Sequence, residues 1–596
     1  MMGRRRFGGL AVLIACLLTV AAVSADAQTP KGAGTEHRQW VEGPRPSPAS
    51  PPIYQITEQE RLVPVRDGIR LQTKTWLPVL PGGSRTPPCV VETDGYDVVL
   101  DAFFIPALQD LARRGYAVTF ARLRGTPPSE GVRDLYNKFG EDGYDIVEWV
   151  AAQPWCNGDV GMVGGSLLGI SQWLAAKQAP PHLRTFIPDV SCGDCYTYLW
   201  YVGGMLPGPG RKARPVPEYQ TAILHRNFDD WWRERSTMPE DVEAIARRGI
   251  PVLVRDAWGD YLLGGDVTNY EHLRGLGHKR KIILGSVSHA PAPDSLPYSN
   301  VEYQVMWLDR WLKGIHNGVD TEPRALIYVQ GPNQWRFEDD WPIPDTHRAH
   351  LYLRAAVSGT GVSLNDGSLS EETPSAHEAV ASVTYSPTGP FNYAGANGPI
   401  LATDQRPDET HSLTWTGEAL KAPTETTGWW YLNFWASATA ADTDFVVEIT
   451  DVAPDGTSKQ VGRGWLNAPR YFSRSHPQPL VPGRIYRFSV QIWPTSYVFQ
   501  VGHRIRVDLS GSDCCAPVGE DPNPDPAQVT VYQDARHPSH IDIPVIGVTA
   551  WRNLHGRSAE GDDEGRGDDE RKRDDERKND DDEGKGDDAG HPGRID

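Results

Sequence analysis

Apolar and polar positions alternate in blocks along residues 53–345. Short apolar runs are followed by stretches of about a dozen residues with apolar positions at helical spacing, as in Phe103–Arg114 and Gly140–Gln153. Strands that alternate with amphipathic helices predict an α/β fold, with a parallel sheet covered by helices on both faces. The predicted strands are Cys89–Val91, Tyr116–Phe120, Thr185–Pro188, Pro251–Arg255, Lys281–Leu284 and Ala325–Val329, preceded by a hairpin around Arg66-Asp67-Gly68.

An insertion interrupts this alternation at about residues 196–248. It contains a Pro/Gly-rich patch, Pro207–Arg214, and many aromatic residues, namely Tyr196, Tyr198, Trp200, Tyr201, Phe228, Trp231 and Trp232. Its place after a strand and helix puts it at the carboxyl edge of the sheet, where binding sites lie in such folds. We therefore predict a helical lid; the alternative is a separate small core without a functional role.

Residues 346–552 have a different pattern, with short alternating strands separated by turns. Examples are Tyr431–Ala436, Asp444–Val452 and Ile485–Val490. Many short strands without intervening helices predict an all-β domain of the jelly-roll or sandwich kind.

The composition is globular, with 39% hydrophobic and 23% charged residues. The net charge is −19, and residues 556–596 alone carry 9 Lys/Arg against 17 Asp/Glu. Residues 553–596 have almost no apolar side chains to bury, which predicts a disordered acidic tail. Because the remainder is mildly acidic, duplex nucleic acid is not expected as a partner.

The N-terminus has the features of an export signal at residues 1–27. Basic residues at Arg4-Arg5-Arg6 precede a mostly apolar stretch, Gly8–Val23, and small residues surround Ala27. A cleaved signal predicts a periplasmic or secreted protein without stable membrane insertion. A twin-arginine signal, a lipoprotein signal at Cys16 and an uncleaved anchor are the alternatives. Residues 28–52, rich in Pro, Ser and Gly, are predicted to be a linker.

Export makes disulfides possible among the remaining cysteines. Cys192 and Cys195 are close in sequence, as are Cys514 and Cys515, so one or two disulfides are expected among these four. A zinc site is less favoured, because a vicinal pair suits tetrahedral geometry poorly and no histidine is close in sequence to either pair. We predict no metal and no other cofactor.

The segment Val160–Ala176 is the strongest candidate for chemistry. An apolar run ends in Gly164-Gly165-Ser166, and helical spacing begins directly afterwards. A serine at such a corner stands exposed above the sheet, with the next amide free to bind an oxyanion. Ser166 is therefore a candidate nucleophile, although Leu168 replaces the last glycine of the G-x-S-x-G pattern. The alternative is a glycine-rich turn with an ordinary serine.

A serine nucleophile requires an acid and a histidine, each expected just after a strand. Two carboxylates, Asp256 and Asp260, follow the strand at Pro251–Arg255, and His289 follows the strand at Lys281–Leu284. The chain order Ser, Asp, His is that of the α/β-hydrolases. Residues 53–345 are therefore predicted to form an α/β-hydrolase domain, followed by a β jelly-roll domain at 346–552.

These residues resemble the cocaine-esterase-like branch of the Xaa-Pro dipeptidyl-peptidase family of serine hydrolases. The likeness runs from about residue 54 to residue 546. Its motifs are the corner at Ser166, the preceding segment Gln153–Gly158, Trp258-x-Asp260, Asp442–Phe445 and Gly502–Ile505.

The resemblance implies a role for five residues. Ser166 corresponds to the nucleophile, Asp260 to the acid and His289 to the base. Tyr96, in an early loop, corresponds to an oxyanion donor beside the backbone amide of Leu167. The resemblance also implies a C-terminal β-domain.

Several positions depart from the family pattern. Leu167 replaces the tyrosine that usually follows the nucleophile, and Ser286-Val287 replace Pro-Trp before the histidine, so the family's substrate preference does not carry over. Relatives that act on α-amino esters have acidic residues after the triad acid, whereas Tyr261-Leu262-Leu263 stand here. Asp194 is a possible substitute as a carboxylate for an α-ammonium group, or else caps a lid helix.

We therefore predict an exported serine hydrolase that cleaves a small ester or amide, most simply a carboxylesterase or acylase. The alternative within the same mechanism is an Xaa-Pro dipeptidyl-peptidase. The alternative from another class is a non-catalytic glycan- or surface-binding protein, since jelly rolls also occur in lectins.

Overall fold

The computed structural model describes residues 39–41, 47–96, 100–205, 217–286, 289, 298–385, 404–511 and 526–547. The predicted signal peptide at 1–27, most of the linker at 28–52, the patch Pro207–Arg214, Cys514–Cys515 and the tail at 553–596 lie outside these residues. Within them, no helix is long and apolar enough to cross a membrane.

The N-terminal part is built on one mixed sheet. Its first elements are β1 (Gln39–Trp40), β2 (Ile56–Pro64), β3 (Arg70–Pro78), β4 (Cys89–Asp94), α1 (Asp101–Arg113), β5 (Ala117–Arg122), α2 (Phe139–Ala151), β6 (Val160–Gly165), α3 (Leu167–Lys177) and β7 (Leu183–Asp189). An insertion follows, with a π-helical turn (Tyr196–Trp200), a 3₁₀ turn (Val202–Gly204), α4 (Pro217–Leu224), α5 (Asp230–Glu234) and α6 (Pro239–Arg247). The remaining elements are β8 (Val252–Ala257), α7 (Leu263–His272), a 3₁₀ segment (Leu273–Lys279), β9 (Arg280–Gly285), α8 (Asn300–Leu312), β10 (Ala325–Val329) and β11 (Gln334–Glu338).

The strand order of this sheet is β1-β11-β10-β9-β8-β7-β6-β4-β5-β3-β2. The seven strands from β10 to β5 are parallel, and an antiparallel pair flanks each edge. Because parallel strands are covered on both faces, neighbouring residues of one strand enter different cores. On β4, Val91 packs in the core with α2 and α3, whereas Val90 packs in the core with α1 and α8.

The C-terminal part is a second sheet that closes on itself. Its elements are β12 (Thr346–Arg354), β13 (Gly367–Ser370), β14 (Ala381–Tyr385), α9 (Arg406–Glu409), β15 (Leu413–Thr416), β16 (Thr424–Ala438), β17 (Asp444–Val452), β18 (Ser458–Asn467), α10 (Ala468–Phe472), β19 (Tyr486–Phe499), β20 (Arg504–Ser510), β21 (Ala527–Tyr532) and β22 (His540–Ile546). β16 pairs with both β19 and β22, which closes the nine strands from β16 to β22 in the sheet order into a barrel, and β21 and β14 extend the sheet from β16. Inward residues alternate with outward ones along the strands. On β12, for example, Ala349, Leu351 and Leu353 point into the core, and the residues between them point outward.

The prediction of an α/β part followed by an all-β part is confirmed. The hairpin around Asp67-Gly68 is also present, since β2 and β3 pair antiparallel from Pro64 opposite Arg70 to Ile56 opposite Pro78. The predicted strand at Ile485–Val490 is longer than expected and continues to Phe499. Its second half is almost entirely buried, so the alternating pattern used to recognise it stops before the strand does.

One disulfide joins Cys89 to Cys156, a pairing that the sequence did not indicate. Of the four cysteines predicted to form one or two disulfides, Cys192 and Cys195 are free, and these two buried thiols lie 2.9 Å apart as a hydrogen-bonded pair, whereas Cys514 and Cys515 lie outside the described residues. Cys89 begins β4, and Cys156 precedes β6, the strand that pairs with β4 from Cys89 opposite Val160. Strand order therefore brings together two cysteines that are 67 residues apart in the chain.

Candidate active site

Ser166 occupies a sharp corner between β6 and α3. Its φ of 58° and ψ of −125° are rarely adopted by residues with a side chain. Two glycines allow the corner. Gly164 has a φ of 132°, and a Cβ there would lie 2.7 Å from Cβ of Leu168. A Cβ on Gly169 would lie 2.7 Å from Cβ of Ser191. Gly169 therefore lets the helix pack against the chain after β7, whereas the G-x-S-x-G pattern would place this glycine at residue 168.

Three side chains from three separate loops form one hydrogen-bonded chain. The Ser166 hydroxyl lies 2.8 Å from Nε2 of His289, and Nδ1 of His289 lies 2.6 Å from Oδ2 of Asp260. Because a carboxylate can only accept, Nδ1 carries the proton and Nε2 presents its lone pair to the serine. The order of groups is that required to make a serine hydroxyl nucleophilic.

Asp260, and not Asp256, contacts the histidine. Asp260 is fully buried, and its other oxygen, Oδ1, accepts from the backbone N–H of Leu262 at 2.6 Å. The Asp256 carboxyl accepts from the N–H of Ala257. Burial, together with the nearby carboxyl groups of Asp260 and Asp266, raises the pKa of Asp256 well above its usual range. The neutral form of Asp256 is therefore favoured, and it is the Asp260 carboxyl that contacts the imidazole.

Tyr96 and the backbone amide of Leu167 lie together beside Ser166. The Tyr96 hydroxyl donates to Oγ of Ser166 at 2.8 Å, and the Leu167 N–H donates to the Tyr96 oxygen at 3.2 Å. Burial raises the pKa of Tyr96, although its hydrogen bonds to Ser166 and Leu167 act in the opposite direction. The phenol therefore keeps its proton and remains a donor. Two donors side by side next to a nucleophile are the groups that an oxyanion site requires.

Tyr261 is a site residue that the sequence did not reveal as one. Its ring stacks on the imidazole of His289, with centroids 4.6 Å apart and planes 23° from parallel. Its hydroxyl lies 3.2 Å from Nε2, the nitrogen that faces Ser166. Its position next to Asp260 was the only signal available in the sequence.

Glu92 is a second residue missed by the sequence. It lies on β4 beneath the corner, where a Cβ on Gly164 would approach its Oε2 to 3.2 Å. Its Oε1 is buried without a hydrogen-bond partner among the described residues. Burial, with smaller contributions from Asp94 and Asp189, raises the pKa of Glu92 well above its usual range. Burial therefore favours the protonated form of this carboxyl group.

The state of Glu92 predicts a pH-dependent effect of Glu92→Gln on stability. The unfolded chain releases this proton near pH 4.5, the ordinary value for glutamate, whereas the folded protein retains it. Glu92 therefore contributes to the free energy of unfolding fully below this pH. As the pH rises towards the pKa of the folded state, this contribution falls by about 1.4 kcal/mol per pH unit. Glutamine does not titrate, so the stability of the variant relative to the native protein should increase with pH. Denaturant unfolding of both proteins between about pH 5 and pH 9 tests this, and parallel curves would contradict it.

The described residues also contain one cluster with potential metal ligands, formed by His350, His540 and Asp542 on the outside of the barrel. Nδ1 of His350 lies 2.9 Å from Oδ1 of Asp542, and Nδ1 of His540 lies 2.9 Å from the carbonyl oxygen of Pro538. The guanidinium groups of Arg348 and Arg487 act electrostatically on Asp542 and His540 respectively. A cluster with two cations nearby and only one carboxylate disfavours a divalent ion.

Two family models match this chain. The model of the X-Pro dipeptidyl-peptidase (S15 family) matches residues 67–214, and that of the X-Pro dipeptidyl-peptidase C-terminal non-catalytic domain matches residues 317–542. The cocaine esterase of Rhodococcus sp. (strain MB1 Bresler) is 27% identical over 579 aligned positions, covering 81% of this chain and 98% of that protein. The protein is thus a serine hydrolase, as the sequence predicted.

Within that class, the chain belongs to the X-Pro dipeptidyl-peptidase (S15) family and is similar to its cocaine-esterase members. Solved structures share the fold. An aminopeptidase from the marine sediment archaeon Thaumarchaeota archaeon has a TM-score of 0.70 at 20% identity, covering 88% of this chain and 99% of that one. A CocE/NonD family hydrolase from Staphylococcus aureus has a TM-score of 0.66 at 19% identity, covering 83% and 94%.

Proposed function

We propose that this protein is a carboxylesterase or acylase in which Ser166, His289 and Asp260 form the catalytic triad. The observation that carries the proposal is the continuous chain of hydrogen bonds, 2.6 Å and 2.8 Å long, from Asp260 through His289 to Ser166. Such a chain, on three loops in the α/β-hydrolase order, is the arrangement that acyl transfer requires.

The reaction proceeds in two steps. His289 takes the hydroxyl proton as Ser166 attacks the substrate carbonyl, and Asp260 holds the imidazole in the tautomer that makes this possible. The Tyr96 hydroxyl and the Leu167 amide stabilise the tetrahedral oxyanion. Nε2 then returns its proton to the leaving group, and water releases the acyl group by the same route.

Tyr96→Phe should lower kcat by about 10²–10³-fold, because one of two oxyanion donors is lost while the ring is retained. The measurement is steady-state hydrolysis of p-nitrophenyl butyrate, with thermal unfolding as a check on the fold. Tyr198→Phe is a matched control, since its hydroxyl contacts Thr268 and not the triad, and it should retain activity. Native kcat in the Tyr96 variant would remove this residue from the oxyanion site.

The contacts of Asp194 favour ester or acyl substrates over dipeptides. A dipeptidyl-peptidase needs a carboxylate for the substrate α-ammonium group. Asp194 is buried and already accepts from the side chains of Thr197, at 2.8 Å, and Arg474, at 2.5 Å. Leu262 and Leu263, which occupy the positions after the triad acid, are buried and apolar. None of these groups is suited to an ammonium ion.

A comparison of p-nitrophenyl butyrate with Gly-Pro-p-nitroanilide tests this choice. The two substrates release nitroaromatic groups that are followed in the same way, and they differ in the need for an ammonium site. We expect kcat/KM to be higher for the ester by well over 10-fold. A preference for Gly-Pro-p-nitroanilide would instead identify an Xaa-Pro dipeptidyl-peptidase. Hydrolysis of neither substrate would call for a wider screen of aliphatic, aromatic and amino-acyl compounds.

We further infer that the insertion between β7 and β8 acts as a helical lid. Its support is one apolar cluster in which Trp200, Trp232 and partly buried Tyr219 pack with Leu167 and Tyr96 of the oxyanion site. The insertion thus shares an apolar core with the two residues of the proposed oxyanion site. We also propose domain limits of 53–345 and 346–552, and a jelly-roll arrangement for the barrel. Part of the predicted linker joins the first domain, because β1 (Gln39–Trp40) pairs with β11 at the edge of its sheet.

Export of the protein is likewise proposed, on the basis of residues 1–27. The disulfide between Cys89 and Cys156 supports it, since such bonds persist mainly in oxidising compartments. N-terminal sequencing of protein recovered from the periplasm or medium should begin at Gln28. Full-length protein confined to the cytoplasm would contradict export.

A further inference from the structure

We propose that Tyr261 is a catalytic residue that donates a hydrogen bond to the leaving-group oxygen of the substrate. The inference rests on the proposed triad and adds to it a determinant of which leaving groups the enzyme can expel. It follows from where the Tyr261 hydroxyl lies in relation to His289 and to the oxyanion donors.

The Tyr261 hydroxyl is placed by two contacts with His289. The rings stack with centroids 4.6 Å apart, and the hydroxyl lies 3.2 Å from Nε2. Because the planes are only 23° from parallel, the hydroxyl approaches Nε2 from the face of the imidazole, whereas the Ser166 hydroxyl occupies its lone pair. Stacking on an imidazole that the buried Asp260 holds through Nδ1 also restricts the rotation of the tyrosine ring.

The leaving-group oxygen must come to the same nitrogen. When the tetrahedral intermediate collapses, the bond from carbon to this oxygen breaks, its electron pair passes to the oxygen, and the oxygen takes the proton from Nε2 of His289. The oxyanion electrons re-form the carbonyl. A group that receives a proton from Nε2 lies about 3 Å from it. The Tyr261 hydroxyl, 3.2 Å from the same nitrogen, therefore lies beside the position that this oxygen takes. It transfers no proton and stabilises the negative charge that develops there.

The two tyrosines of the site thus serve different oxygens. Tyr96 donates to Oγ of Ser166 and lies beside the Leu167 amide, on the side of the carbonyl oxygen. Tyr261 contacts Nε2 of His289, on the side where the leaving group departs. Loss of the Tyr96 hydroxyl should affect every ester alike, because every ester forms the same oxyanion. Loss of the Tyr261 hydroxyl should matter most for an alkoxide, which is a poor leaving group and carries more charge as it departs than p-nitrophenolate.

The experiment compares Tyr261→Phe with the native protein on two esters of one acyl group. Ethyl butyrate is followed by pH-stat titration and p-nitrophenyl butyrate by absorbance. We expect kcat/KM for ethyl butyrate to fall by about 10-fold or more, and that for p-nitrophenyl butyrate by less than about 3-fold. The matched control is Tyr96→Phe, which should lower kcat/KM for both esters by a similar factor.

Two results would overturn this assignment. An equal loss on both esters would mean that Tyr261 acts only by holding His289, as a positioning residue. Unchanged kinetics on both would remove it from the reaction altogether. Labelling of Ser166 by a fluorophosphonate separates these outcomes from failure of the proposed function, because an inactive native protein that does not label would contradict the triad itself.

Discussion

Ser166→Ala should lower kcat for p-nitrophenyl butyrate by about 10⁶-fold, the loss typical of removing a triad nucleophile. The variant should also fail to react with a fluorophosphonate probe. Among the residues that the structure describes, Ser166 is the hydroxyl that lies 2.8 Å both from Nε2 of His289 and from the Tyr96 hydroxyl. The corner itself depends on Gly164 and on hydrogen bonds of the main chain, such as that from the Ser166 N–H to the Asp189 carbonyl at 2.9 Å. Alanine should therefore leave the fold intact.

Ser171→Ala provides a control from the same helix. The Ser171 hydroxyl is buried and contacts Thr93 at 2.7 Å, so its loss should lower stability modestly and leave labelling unchanged. Intact-mass spectrometry after exposure to the probe gives one adduct for the native protein and for this control. An adduct on Ser166→Ala would assign the nucleophile to another residue.

Asp260→Asn should lower kcat by about 10⁴-fold with little change in the positions of atoms. The amide NH₂ group of asparagine donates to Nδ1 of His289, which forces the histidine proton onto Nε2. That nitrogen then has no lone pair for the proton of Ser166. Since Oδ1 of the side chain can still accept from the Leu262 N–H, the loop should keep its shape. The measurement is steady-state hydrolysis of p-nitrophenyl butyrate.

Asp256→Asn is the matched control for this substitution. Asp256 is also buried and lies near the end of β8, which precedes Asp260, but its surroundings favour the neutral carboxyl. It accepts from the Ala257 N–H, which an asparagine oxygen can also do. Activity should stay within about threefold of native. If Asp256→Asn were the more damaging of the two, Asp256 would replace Asp260 as the residue that orients the histidine.

Much of the N-terminal part could be predicted because local sequence determines it. Buried strands such as Ala325–Val329 are continuous apolar runs, and the boundaries of this strand agree with the prediction. The helix predicted at Phe103–Arg114 extends from Asp101 to Arg113, a shift of the size that helix ends usually show. Asp260 and His289 could be proposed because each follows a strand, and parallel strands place such residues at one edge of a sheet.

Contacts set by tertiary structure could not be predicted in this way. Cys89 and Cys156 meet only because β4 and β6 are neighbours, an order that no local pattern reveals. The stacking of Tyr261 on His289 requires two loops, distant in sequence, to converge. Glu92 looks like an ordinary charged residue in its strand, and only the close approach of Gly164 shows why its carboxyl is buried.

The side chain of Arg474 has a consequence for engineering this enzyme. It belongs to the C-terminal half, yet it hydrogen-bonds to Asp194 and Thr197 at the base of the insertion, and its guanidinium lies 3.9 Å from the centre of the Phe228 ring. A shortened polypeptide that ends before Thr346 would lose this support for the insertion. Directed evolution of substrate range should therefore include the turn that carries Arg474, far along the chain from the proposed catalytic residues.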